Sequence, residues 1–325
     1  MKKSFITGVT GQDGAFLAKL LISNNHKVLG GVRNKKNIWR LESLGIADKV
    51  QFIDFDFTKS ESIVNAIKEF KPDEIYNLAA QSSVAKSFHS PIETAQIDAM
   101  GVVYLLDSIY RFSPNTKYFQ AGSCEIFGNS NSFPQSEETP LLPINPYSSA
   151  KVYAHNLTIN YRDAFKLKTV NGILFNHESE LRGKEFFTRR VSMHVASYHL
   201  GERKILDVGN IHTTRDIGYA EEYVSAIYKT LQQEEFSDYV IATGKCSKIK
   251  DFIESCFRAI DVILEWQGEG FEEKAIDVST GDVVVRVNKD NFRPTDILKQ
   301  LGDPTKINKV TGWSANLSLD RIAEK

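Results

Sequence analysis

A phenol and an ammonium four residues apart, Tyr147 and Lys151, open a segment of helical character, and that spacing sets both side chains on one helix face. There they can act on one bound molecule. The ammonium favours the phenolate, lowering a tyrosine from about 10 toward working pH, so the oxygen can take a proton from a carbinol or return it. Upstream, a β-rich run at Lys117 to Gln120 leads into Ala121-Gly122-Ser123-Cys124-Glu125-Ile126-Phe127-Gly128. Ser123 can hydrogen-bond the reacting oxygen beside Tyr147. Glu125 adds a second acid–base group, which oxidation of an alcohol does not need but removal of a carbon-bound proton with loss of water does. Cys124 is expected to pack inward, because strand alternation turns it away from its neighbours.

A second cluster lies at the N-terminus. The strand expected at Ser4 to Thr7 runs into Gly8, Gly11 and Gly14 and then an apolar helix, the context of a dinucleotide-binding turn. Glycine permits a sharp turn and close approach to a pyrophosphate, while the start of the helix attracts its charge. An oxidised nicotinamide ring would join Lys151 in favouring the Tyr147 phenolate. The next strand ends Gly31-Val32-Arg33-Asn34-Lys35-Lys36, with cations where a carboxylate would hold a ribose hydroxyl. Arg33 is the expected partner of a 2'-phosphate, which favours NADP over NAD. Asp56 and Phe57 are expected near the adenine, and the small residues of Leu78-Ala79-Ala80 would let the cofactor lie close. Asn176-His177-Glu178-Ser179 lacks a third ligand for a metal, so contact with cofactor or sugar is the better reading.

These side chains need a scaffold that brings strand ends together. Short β-rich runs at Ser4 to Thr7, Lys27 to Val32, Val50 to Asp54, Glu74 to Asn77, Lys117 to Gln120 and Thr169 to Phe175 alternate with helical periodicity near 14–24, 60–70, 93–112 and 147–166. The pattern predicts an α/β fold, a Rossmann-like doubly wound parallel sheet. Helices near 185–200, 220–232 and 247–260 and strands near 239–241, 262–266 and 283–287 suggest a smaller mixed α/β substrate-binding lobe. Residues 1–173 with about 213–243 would bind the dinucleotide; about 174–212 and 244–325 would form the lobe. Among 325 residues the formal net charge is -1, so neither nucleic acid nor an acidic membrane is an expected partner, and an anionic ligand must be gripped locally. Three cysteines support neither a disulfide framework nor a zinc site, and a cytoplasmic location is expected.

Together Thr7-Gly8-Val9-Thr10-Gly11-Gln12-Asp13-Gly14, Asn77-Leu78-Ala79-Ala80-Gln81-Ser82, Ser123-Cys124-Glu125, Tyr147 with Lys151, and Gly172-Ile173-Leu174-Phe175-Asn176-His177-Glu178-Ser179 resemble the GDP-mannose 4,6-dehydratases of the extended short-chain dehydrogenase class. The similarity continues through Gly209-Asn210, Arg215-Asp216, Phe292-Arg293-Pro294-Thr295-Asp296 and Gly302-Asp303-Pro304-Thr305-Lys306. The resemblance implies NADP as cofactor and Ser123, Glu125, Tyr147 and Lys151 as the catalytic set. It adds Gln12, Asp13, Leu174, Asn176 and His177 to the cofactor contacts. Ser82, Asn176, Glu178, Arg182 and Asn210 would meet the substrate, with Arg215 and Arg293 on the GDP moiety. It also implies a homodimer or homotetramer. The chain departs from the family pattern in carrying serine for threonine at Ser123, in Cys124, in the segment Ile211-His212-Thr213-Thr214 before Arg215, and in a short segment after Arg33. The altered segment before Arg215 leaves dehydration of another GDP-sugar, such as GDP-heptose, as an alternative, beside a 4-keto-6-deoxy-sugar reductase, an epimerase, or a non-catalytic NADP sensor.

Overall fold

Apolar runs at the expected places form β1 (Lys3–Thr7), β2 (Lys27–Val32), β3 (Val50–Asp54), β4 (Glu74–Asn77), β5 (Lys117–Ala121) and β6 (Thr169–Leu174). The computed structural model describes residues 1–35, 37–292 and 295–325. Four short strands follow, β7 (Asn176–Glu178), β8 (Leu206–Val208), β9 (Thr214–Arg215) and β10 (Ile217–Tyr219), before β11 (Asp238–Ile241). Seven of these make one parallel sheet in the order β11-β6-β5-β4-β1-β2-β3. Every residue of β4 and β6 is buried, as expected of a sheet covered on both faces.

Helices cover each face. On one side α1 (Gln12–Ser23) contributes Leu17 and Leu21 to a core shared with Val224 and Ile227. The other side takes Ile63 and Ile67 of a helix at Ser60–Phe70, and Leu105 and Ile109 of one at Gly101–Phe112. The expected helix over 93–112 is interrupted. After Val84–His89 and Pro91–Ala95 comes a π-helical segment, Gln96–Met100, which passes directly into Gly101–Phe112. It contains the buried Asp98, whose Oδ1 accepts the Gln81 N–H at 2.8 Å. A wider turn inside a helix is often found at functional sites.

The smaller lobe is built on a four-stranded sheet in the order β13 (Leu264–Gln267), β14 (Lys274–Asp277), β15 (Val283–Val287) and β8, after a two-residue β12 (Ser247–Lys248) that pairs with β9. Val191 and Val195 from a helix at Phe187–His199, and Phe252 and Phe257 from one at Ile249–Arg258, form its core with Val285. The lobe does not take in all of 244–325. Ile307, from a helix at Thr305–Thr311, and Trp313 pack instead into the α1 core of the larger body, where the Trp313 indole donates to the Glu222 carbonyl at 2.9 Å.

The chain crosses between these bodies in an extended strap, residues 295–304. Thr214 N–H donates to Leu298 O at 2.9 Å and Gln300 N–H to Thr214 O at 3.0 Å, while Gln135 N–H donates to Leu301 O at 2.7 Å. Asp216 anchors the strap from beneath. Its buried carboxylate accepts from Thr243 N–H at 2.9 Å and its hydroxyl at 2.6 Å, from Gly244 N–H at 3.0 Å and from Gly302 N–H at 3.3 Å. Among the described residues no helix is long and apolar enough to cross a membrane.

Candidate active site

The Asn145-Pro146 pair starts the helix that carries the phenol and the ammonium, Pro146–Phe165. Asn145 caps it through Oδ1, which accepts the Ser148 N–H at 2.8 Å, and proline suits the first helical position. Tyr147 and Lys151 therefore stand on its first turns, both buried, beside the end of β5. Lys151 Nζ donates to the Ala121 carbonyl at 2.9 Å and lies 5.7 Å from the centre of the Tyr147 ring. Burial lowers the lysine, and Asp98 opposes the shift.

The expectation that Lys151 depresses the phenol is not met by the protein alone. Burial pushes Tyr147 well above the ordinary tyrosine value; Asp98 and Glu125 add to the rise, and a hydrogen bond with Ser123 opposes it. β5 ends at Ala121, so strand alternation is not what buries Cys124. The cysteine opens a 3-10 turn, Cys124–Phe127, and packs with Ile126, Phe127 and Ile173. Within that turn Ser123 Oγ accepts the Glu125 N–H at 3.2 Å. Glu125 Oε2 accepts from Asn145 Nδ2 at 3.1 Å, and Oε1 from Gln300 Nε2 at 3.4 Å. The carboxylate is thus tied to the cap of the helix that bears Tyr147, and both side chains line one cleft of about 980 Å³.

The same cleft extends over the glycine turn. Gly8 has φ of 69°, in the left-handed region, and a Cβ there would meet the Ala79 backbone at 2.9 Å; one on Gly14 would meet Gly8 O at 2.3 Å. This narrow cradle, opening on the first turn of α1, fits a dinucleotide pyrophosphate. Arg33 and Asp56 line its outer end. The Thr58 N–H, donating to Asp56 at 2.9 Å, is the main cause that holds that carboxyl below its usual range, with Arg33 a minor one. Phe57 also lines the cleft, its ring edge-on to Phe55 at 5.0 Å. Leu78, Ala79, Ala80 and Leu174 line the cleft as well.

Asp13 and His177 line the cleft but are also committed to one another. His177 Nε2 lies 2.9 Å from Asp13 Oδ2, and Nδ1 donates to Phe175 O at 2.6 Å. Burial acts against both charges, but attraction and hydrogen bonding exceed it, leaving the aspartate below its usual value and the histidine above. Gln12 reinforces the tie, donating to His177 O at 3.1 Å and accepting from Ser179 Oγ at 2.8 Å. These residues brace the glycine turn against β7.

Toward the lobe, Ser82, Asn176, Glu178, Arg182, Asn210 and Arg215 line the cleft. Glu178 accepts from Thr188 Oγ1 at 2.6 Å and pairs with Arg182 at 3.2 Å, whose guanidinium lies 3.8 Å from the Phe186 ring centre. Arg215 is buried and ion-paired with Asp296 of the strap at 3.1 Å. Every candidate residue among those described therefore meets in one cleft; Arg293 lies outside the described residues.

The model of the GDP-mannose 4,6 dehydratase family matches residues 5–325. A GDP-mannose 4,6-dehydratase of Sinorhizobium fredii (strain HH103) is 40% identical over 331 residues, covering 99% of this chain and 94% of the relative. The chain belongs to the GDP-mannose 4,6-dehydratase family. Among solved structures, the dTDP-glucose 4,6-dehydratase of Bacillus anthracis str. Ames in complex with NAD is similar at a TM-score of 0.80, 18% identity and 100% and 94% coverage of the two chains. RMD from Pseudomonas aeruginosa complexed with NADPH follows at 0.77, 19% identity and 100% and 97% coverage. At that identity they report a shared fold.

In this family member Arg40, Asn145 and Gln300 are among the further polar residues that border the candidate set. Arg40 donates to Thr10 O at 3.0 Å and to Leu181 O at 2.6 Å, clamping the far side of the glycine turn. Asn145 carried a signal, its place before proline at a helix start. Gln300 carried none, because it comes from 175 residues beyond Glu125 to touch it.

Proposed function

We propose that this chain dehydrates GDP-mannose to GDP-4-keto-6-deoxy-mannose, with NADP held over the glycine turn and Arg33 and the sugar nucleotide lying toward Arg215. The observation that carries this reading is the convergence of Glu125 and Tyr147 on one cleft through Asn145. When bound, the oxidised nicotinamide would supply a positive charge that favours the Tyr147 phenolate and an acceptor for the C4 hydride, to be given back at C6.

The side chains manage the protons. Tyr147, with Ser123 beside it, takes the proton of the C4 hydroxyl as that carbon becomes a ketone. The ketone acidifies the C5 proton, which Glu125 removes and passes to the departing C6 hydroxyl, so water leaves. Glu125 later returns a proton to C5, replenished by the one Tyr147 took, and both side chains finish as they began. Lys151, fixed on Ala121 O, keeps a positive charge near the phenol. Arg215 offers a buried guanidinium to the diphosphate in place of Asp296, since a bidentate anion suits its planar fork. A location in the cytoplasm accords with three unpaired cysteines. Exposed Tyr110 and Phe165, whose ring centres lie 4.6 Å apart, give an aromatic patch suited to a homodimer or homotetramer.

Purified protein incubated with GDP-mannose should form a keto sugar with no net consumption of NADP. Glu125→Gln should bind the sugar nucleotide but turn over about 100-fold to 10,000-fold more slowly. Near-normal turnover in that variant would remove the carboxylate from the chemistry, and formation of a fully reduced sugar would replace the dehydratase by a reductase.

A further inference from the structure

The strap brings one polar side chain into the catalytic region. Gln300 is fully buried, held in place by the backbone bond from its N–H to Thr214 O. Its Nε2 reaches Glu125 Oε1 at 3.4 Å, and its Oε1 accepts from Asn176 Nδ2 at 3.2 Å. The direction of this amide is determined by its neighbours. An ionised carboxylate only accepts, so the NH2 must face Glu125, and the remaining oxygen is filled by the Asn176 donor. Asn145 serves the other carboxylate oxygen at 3.1 Å. Two amides therefore hold the two oxygens of Glu125, one at the cap of the helix that carries Tyr147 and one on the strap.

We propose that Gln300 is a positioning residue for Glu125, aiming the carboxylate at the sugar C5 proton. The inference rests on the dehydratase reading. It also gives the strap a role in the chemistry. Thr214, the residue before Arg215, accepts from the Gln300 N–H, and Asp296 pairs with Arg215 four residues earlier, so the nucleotide-binding arginine and the aimed carboxylate share one segment.

The test isolates the proton step. Offered GDP-4-keto-6-deoxy-mannose in deuterium oxide, the enzyme should exchange the C5 proton, because the ketone already acidifies it; NMR follows the loss of that signal. Gln300→Met keeps length and volume but removes the donor. It should slow exchange about 10-fold, the low end for a hydrogen bond to a charged group, while GDP-mannose affinity by calorimetry falls far less and the thermal midpoint drops by only about 2–4 °C for the Asn176 donor that loses its acceptor. Gln300→Glu, of the same shape, turns a second carboxylate on Glu125 and should slow exchange further. Unchanged exchange in Gln300→Met, or a parallel loss of exchange, affinity and thermal stability, overturns the assignment. Glu125→Gln is the reference: if it too exchanges normally, the carboxylate reading fails, whereas loss there with normal exchange in Gln300→Met defeats only the role of Gln300.

Discussion

Replacing Asp98 by Asn should make the protein more stable at neutral pH. Asp98 is buried close enough to Lys151 and Tyr147 to act on both charges; Oδ1 accepts the Gln81 N–H at 2.8 Å, while Oδ2 has no hydrogen-bond partner among the described residues. Burial pushes its carboxyl up from 3.8 to about 6, with Lys151 and the Gln81 N–H opposing the rise. Because the folded value exceeds the unfolded one, the native state binds more protons across that window, and stability falls as pH rises from 3.8 to about 6. Above it the whole penalty is present, at most about 3 kcal/mol. Asparagine removes the charge and keeps the acceptor for Gln81, but its NH2 takes the place of an oxygen without a partner, at roughly 1 kcal/mol. The net gain is about 2 kcal/mol at pH 8, shrinking and then reversing as the buffer is taken below the window. Urea midpoints of both proteins at about pH 4 and pH 8 measure it. A less stable variant at the higher pH, or a difference that does not change with pH, refutes the argument. The same substitution removes a charge that raises the Tyr147 phenol, so the acid limb of the turnover profile should move to lower pH.

Asp13→Asn should cost about 2 kcal/mol by loss of a charged hydrogen bond. The pair is worth most between pH 3.8 and 6.5: its contribution is lost as pH falls through the lowered Asp13 value or rises through the raised His177 value. Equal destabilisation at all pH values in thermal melts would contradict this. Arg33→Ala should weaken NADP about 10-fold by fluorescence titration and leave NAD unaffected; equal weakening of both would show that Arg33 does not read the 2'-phosphate. Gly14→Ala places a methyl 2.3 Å from Gly8 O and should abolish dinucleotide binding by calorimetry, and retained affinity would show the cradle to be more open than it is here.

The strands of the large sheet were legible because each carries a short apolar or aromatic centre, such as Phe5-Ile6, Val28-Leu29 or Tyr118-Phe119. β2, β3 and β4 begin and end where the residue types change. The π segment was not, since one extra residue in a turn leaves no mark on a helical pattern; hence Asp98 went unread. β8 and β14 were missed for another reason. Three or four residues with mixed burial, such as Lys274–Asp277, are stabilised as strands by neighbours remote in sequence. In the site, glycines, Tyr147, Lys151, Ser123 and Glu125 could be read because each sits beside a recognisable strand end or helix start. The amide that aims Glu125 and the carboxylate that pairs with Arg215 lie on the strap, whose position depends on long-range pairing with Thr214 and Gln135. The depressed phenol was expected from Lys151 together with an oxidised nicotinamide ring; in the protein alone the ammonium reaches Ala121 O and burial raises Tyr147.

Transfer of hydrogen within one sugar is the central claim, and an isotope placed at its origin follows it. With GDP-mannose deuterated at C4 and catalytic NADP, the product should carry deuterium in its C6 methyl group, one atom per molecule. Deuterium found in solvent or left in the dinucleotide, with an unlabelled methyl group, would contradict it.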